Sequence, residues 1–67
     1  MSIIMYSTQM CPKCKVLKTK LQNKEIDFYE VNDVNIMEKR GIMSVPVLEV
    51  DGEMMDFSKA VAWVNKK

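Results

Sequence analysis

The chain has no histidine, and its 67 residues include only two cysteines, two glycines, two prolines and one tryptophan. Without histidine it lacks the side chain that most often serves as a general base and as a metal ligand. A structural zinc site needs four ligands, so one pair of cysteines would have to recruit carboxylates or a second copy of the chain. No apolar run approaches the roughly 20 residues of a membrane-spanning helix. The first residues carry neither a basic region nor an apolar stretch long enough for a secretory signal. The formal net charge of +1 argues against nucleic-acid binding through bulk charge. These absences lead us to expect a cytoplasmic monomer with no membrane or nucleic-acid partner, forming a single domain over residues 1–67 around a modest core.

The two cysteines present stand three positions apart, in Met10-Cys11-Pro12-Lys13-Cys14. A disulfide between them would close almost no loop, so it would staple little. In a reducing compartment such a pair cycles rather than staying oxidised. The motif follows an apolar strand pattern, Ser2 to Ser7, and opens a lysine-rich helical pattern from Pro12 to about Asn23 or Lys24. Proline suits the first helical position, where its missing N–H costs nothing. At about 100° per residue, Cys14, Leu17 and Leu21 fall within an arc of roughly 60°. Cys14 is therefore expected on the buried stripe, and Cys11 exposed at the helix mouth.

That asymmetry gives the two thiols different chemistry. Unpaired N–H groups and the helix dipole favour an anion at Cys11, and Lys13 and Lys15 add positive charge. Its pKa should fall below that of a free cysteine, making it the attacking nucleophile, with Cys14 as the resolving thiol. Lys13, Lys15, Lys18, Lys20 and Lys24 have no acid among them. Such a run reads first as a solvated helix face, a reading compatible with a field that steers acidic partners.

Downstream, Ile26 to Val31 alternates as a second strand with Ile26, Phe28 and Val31 inward. Asn32-Asp33 caps a short helix, Val34 to Arg40, with Ile36 and Met37 toward the core and Gly41 ending it. Val45 to Val50 gives a third strand, and Asp51-Gly52 turns it into an antiparallel partner, Glu53-Met54-Met55. Asp56 caps a last helix in which Phe57, Ala60, Val61 and Val64 repeat on one face. The order is βαβαββα, an α/β fold in which the two crossovers imply parallel neighbours and the hairpin adds an antiparallel edge. The seven methionines suit flexible core filling ahead of the alternative, a soft binding surface.

A strand, then Cys-Pro-Lys-Cys opening a helix, then Val45-Pro46 opening a later strand, together resemble the glutaredoxin branch of the thioredoxin-like fold. The resemblance covers nearly the whole chain and implies a four-stranded mixed sheet flanked by three helices. It implies a dithiol–disulfide oxidoreductase with Cys11 and Cys14 catalytic and no bound cofactor beyond the redox-active pair. It also implies a cis Val45–Pro46 bond beside the cysteines, with Pro12, Lys13, Val45 and Pro46 contacting substrate. Disulfide-containing proteins would be the substrates, ribonucleotide reductase among them, and glutathione or thioredoxin reductase the external reductant. Where many glutaredoxins have lysine three residues before the first cysteine, this chain has Thr8, and Lys13 replaces the usual aromatic residue. Of the glutathione-binding Gly-Gly-x-x-Asp stretch Asp56 has a match, after Met54-Met55, but the glycine pair is missing. A signature like Trp-Ser-Gly-Phe, found in the small redoxins served by thioredoxin reductase, is absent after the hairpin.

The rival reading is a small cytosolic copper chaperone that uses the CxxC as a metal site. Those chains have the order βαββαβ and end in a strand, whereas this one ends in a helical stripe. An inert structural pair is a third reading, although inert cysteines are normally buried away from positive charge.

Overall fold

A computed structural model describes residues 2–67; of the expected 1–67 span, Met1 lies outside the described residues. Isoleucines and a tyrosine, which favour extended backbone, make Ile3–Tyr6 the strand β1. The following elements are α1 (Pro12–Asn23), β2 (Tyr29–Val31), α2 (Val34–Lys39), β3 (Val47–Val50), β4 (Glu53–Met55) and α3 (Phe57–Asn65). The βαβαββα order is the one the sequence implies, and the chain ends in a helix.

The strands form one mixed sheet in the order β2-β1-β3-β4. β1 is parallel to β2, while β1–β3 and β3–β4 are antiparallel. The expectation that both crossovers give parallel neighbours therefore holds for the first and fails for the second. The reason is helix length. Twelve residues in α1 rise about 18 Å and carry the chain back along the sheet. Six residues in α2 rise only about 9 Å, and Gly41 then turns the chain with φ at 73°. Tyr6 aligns with Val31 on one side and Val47 on the other, so the chain leaves β2 and enters β3 at the same end of the sheet.

One sheet face carries the core. Ile3 and Met5 of β1, Leu48 and Val50 of β3 and Met55 of β4 meet Cys14, Leu17 and Leu21 of α1 and Ala60 and Val64 of α3. Leu17, Leu21, Leu48, Ala60 and Val64 are fully buried, so these contacts fix where α1 begins. The other face is held by a polar network. Glu49, buried on β3, accepts from the Tyr6 hydroxyl at 3.0 Å and from Arg40 Nη1 at 2.7 Å. Burial, and then the Glu49 carboxylate, push the Tyr6 phenol above its ordinary pKa. A buried carboxylate is tolerable because both partners satisfy it.

Three local expectations need correction. β2 begins at Tyr29 rather than Ile26, because the Ile26 N–H donates to the Leu21 carbonyl at 3.0 Å and so closes α1. Ile26 and Phe28 still pack against the core. β3 begins at Val47, after Pro46, which has no N–H to give a ladder. Ile36 is largely exposed and Met37 alone of the two is buried, since a six-residue helix has one narrow inward stripe.

α1 ends on Glu25, a non-glycine residue with φ at 56°. Left-handed backbone at a residue with a Cβ costs about 1–2 kcal/mol. Glu25→Gly should therefore raise unfolding stability by about 1 kcal/mol in urea melts, while Glu25→Val should lower it. A loss of stability on introducing glycine would contradict the strain assignment.

Candidate active site

The turn between β1 and α1 delivers the cysteines. Cys11 is the N-cap of α1 with extended backbone, and its sulfur accepts from the Cys14 N–H at 3.1 Å. A sulfur at an N-cap stands where serine or aspartate oxygen usually stands, facing the free amides of the first turn. Pro12 occupies the first helical position, and no acidic residue lies in that turn. Cys11 and Cys14 form a disulfide with Cα atoms 5.2 Å apart.

Cys14 lies on the buried stripe as expected, at 3% exposure. Cys11 is only 8% exposed, which corrects the picture of an open thiol at the helix mouth. The disulfide ties its sulfur to that of Cys14, and Val45 packs against the core cluster to which both cysteines belong.

The two cysteines border different hollows. Cys11 shares a shallow groove with Thr8, Met10, Pro12, Lys13 and Val45. Thr8 and Val45 also border a neighbouring hollow with Val34, Ile42 and Met43, which extends the apolar edge. Met10 and Met43 are almost fully exposed beside it, so these two methionines are not core filler. Cys14 instead borders a polar cleft with Thr8, Lys15, Lys18, Glu30 and Asn32.

The Val45–Pro46 bond is cis, as the family resemblance implies, and Val45 stands in the same groove as Cys11. Pro12 and Lys13 line that groove as well. The Lys13 ammonium rests 5.6 Å from the centre of the Phe57 ring, a cation–π contact that links the motif to the start of α3. Asp56 borders neither cysteine hollow; its Oδ1 accepts from the Lys59 N–H at 2.9 Å and caps α3.

Glu30 was not singled out by sequence reasoning. It sits on β2, and its carboxylate accepts from Lys18 Nζ and from Ser7 Oγ, each at 2.8 Å. Those hydrogen bonds, Lys18 first, hold its pKa below the ordinary carboxylate value against the opposing effect of burial. No spacing rule joins Ser7 just after β1, Lys18 on α1 and Glu30 on β2. The lysine run is accordingly not one uniform face, because Lys13 and Lys18 are engaged and Lys15 borders the Cys14 cleft. Among the described residues no cluster of three or more histidine, cysteine or acidic side chains could hold a metal, and no helix is long and apolar enough to cross a membrane.

Comparison with known proteins bears on the same residues. The family described as Glutaredoxin matches residues 3–55. An uncharacterised glutaredoxin-like 8.6 kDa protein in the rubredoxin operon of Clostridium pasteurianum is 41% identical over 66 residues, covering 87% of this chain and 88% of that one. Among solved structures, the glutaredoxin-like NrdH-redoxin of Escherichia coli superposes with a TM-score of 0.77 at 19% identity, covering 98% of this chain and 93% of that one. A thioredoxin-like protein crystallised as a point mutant gives 0.79 at 21% identity, covering 98% and 97%. At such identities the two structures establish the thioredoxin-like fold.

Because the folded Glu30 pKa is depressed, its contribution to stability is present above the ordinary value of 4.5 and is lost as pH falls through the folded value. Glu30→Gln should therefore be less stable than the parent at neutral pH, and the gap should close in melts run near about pH 3. A gap that stays constant with pH would show that the carboxylate charge is not what stabilises.

Proposed function

The chain belongs to the glutaredoxin family and is a thiol–disulfide oxidoreductase, and we propose that it reduces disulfides in other proteins through Cys11 and Cys14. In the reduced protein the Cys11 thiolate attacks one sulfur of the substrate disulfide. A mixed disulfide forms and the other substrate sulfur leaves as a thiolate. Cys14 then attacks Cys11, which releases the second substrate thiolate and leaves the Cys11–Cys14 disulfide described here. The observation that carries this order is the Cys14 N–H donating to Cys11 Sγ, since a hydrogen bond to the anion favours the thiolate at Cys11 and offers nothing equivalent to Cys14.

The groove beside Cys11 supports a docking role for Pro12, Lys13 and Val45, whereas Pro46 is buried outside the groove's lining and would act only through its neighbour Val45. An extended segment of substrate lying along Thr8 and Val45 would pass the exposed thioethers of Met10 and Met43, whose flexible side chains suit varied partners. The protein would work as a cytoplasmic monomer, re-reduced after each turn by thioredoxin reductase or glutathione. Of the two we favour thioredoxin reductase. The glycine pair that goes with glutathione binding is broken, with Glu53 following Gly52 ahead of Met54-Met55-Asp56, and the NrdH-redoxin neighbour is described as having a thioredoxin-like activity profile. Ribonucleotide reductase stands among the candidate substrates.

The assignment of roles predicts unequal trapping. Cys14→Ser should accumulate a mixed disulfide with a protein disulfide substrate, visible by mass, whereas Cys11→Ser should accumulate almost none. Equal trapping by the two variants would refute the order. Turnover should be sustained by thioredoxin reductase with its nicotinamide donor and should be far slower with glutathione and its reductase; the reverse ranking would overturn the choice of reductant.

A further inference from the structure

Resolution asks Cys14 for something its surroundings do not obviously supply. Its thiol must lose a proton before it can attack, and burial among Met5, Leu17, Leu48 and Ala60 disfavours the thiolate. The hydrogen bond that assists Cys11 comes from the Cys14 backbone and leaves the Cys14 sulfur unaided. With no histidine in the chain, the acceptor must come from elsewhere.

The polar cleft on the Cys14 side holds one acidic residue, Glu30. Its volume of about 260 Å³ leaves room for several waters. Glu30 is fixed there from both sides. Ser7, itself 1% exposed and tied to the Val31 carbonyl through its own N–H, donates to Oε2, and Lys18 donates to Oε1. Lys18 stands one turn beyond Cys14 on α1, so the ion pair is held over the face on which that sulfur lies. The charged groups bordering the cleft are Lys15 and Lys18 of α1 and Glu30 of β2. The core cluster to which Cys14 belongs draws Met5 from β1, Leu48 from β3 and Ala60 and Val64 from α3.

We propose that Glu30 is the proton acceptor for Cys14 in the resolving step, acting through water in this cleft. The proposal rests on the reading that Cys11 attacks and Cys14 resolves. The Cys14 S–H proton passes to the Glu30 carboxylate, the sulfur's electron pair forms the bond to Cys11, and the bond from Cys11 to the substrate sulfur breaks. The substrate leaves as a thiolate and is protonated from solvent, and Glu30 returns its proton to solvent. When the oxidised protein is re-reduced the path runs backward, the departing Cys14 thiolate taking its proton from solvent through the water and carboxylate of the cleft.

A chromogenic aromatic disulfide separates the steps, because it releases one coloured thiolate when Cys11 attacks and a second when Cys14 resolves. In stopped-flow mixing at neutral pH, Glu30→Gln should leave the first release unchanged and slow the second on the order of 100-fold. The deficit should shrink toward high pH, where Cys14 ionises unaided, and Glu30→Asp should recover part of the rate. Lys18→Met breaks the same ion pair but keeps the carboxylate, so its second release should stay within a few-fold of the parent. An unchanged second release in Glu30→Gln, or equal slowing in Glu30→Gln and Lys18→Met at every pH, would overturn the proposal, the latter marking the pair as structural. Absence of two ordered releases in the unmodified protein would overturn the Cys11–Cys14 order itself, and this proposal with it.

Discussion

The hydrogen bond from the Cys14 amide to Cys11 Sγ is the contact on which the rest of this small structure converges. It exists only because α1 starts at Pro12 and because its first turn is immobilised. Leu17 and Leu21, fully buried one and two turns along, press that helix onto Met5 and Leu48 of the sheet and Ala60 and Val64 of α3. A helix end that could slide or fray would give the sulfur no constant set of donors. Packing at a distance from the cysteines thus determines the electrostatics at them.

Two polar networks fix the surroundings of that contact. Glu49 joins Tyr6 on β1 to Arg40 just beyond α2, and so holds the short helix against the sheet near the strand ends where Val45 enters. Glu30 joins Ser7 after β1 to Lys18 on α1, and so ties the helix carrying the cysteines to the parallel edge strand. Neither network is needed to bury apolar area. The buried Glu49 carboxylate costs free energy unless its partners are in place, and Glu30 lies on an exposed edge strand, so what these networks add is geometric definition. The result is a pair of sulfurs with different outlooks, an apolar groove at Cys11 and a charged cleft at Cys14.

Much of this was legible in the sequence because it is local. Pro12 marks the first turn of α1, the period of Cys14, Leu17 and Leu21 marks its buried side, Asp33 and Asp56 mark caps, and Asp51-Gly52 marks a hairpin with both residues at positive φ. What escaped is what depends on chain path. The antiparallel entry of β3 follows from the shortness of α2 and the turn at Gly41, and hydrophobic pattern carries no information on strand direction. Glu30 and Glu49 looked like ordinary strand polar residues, since their partners Lys18, Ser7, Tyr6 and Arg40 lie elsewhere in the chain. Val45, which lines the groove beside Cys11, is likewise far from it in the sequence, so no local pattern joins the two.

The central claim is that the fold makes the two thiols chemically unequal, with Cys11 the more readily ionised. Its most direct test is alkylation of the reduced protein with a small haloacetamide across a range of pH, with each cysteine followed separately by peptide mass. The account predicts that Cys11 is labelled first, with a midpoint below the roughly 8.5 of a free cysteine, and that Cys14 reacts only at distinctly higher pH. Labelling of Cys14 first, or of both cysteines together with one midpoint, would contradict it.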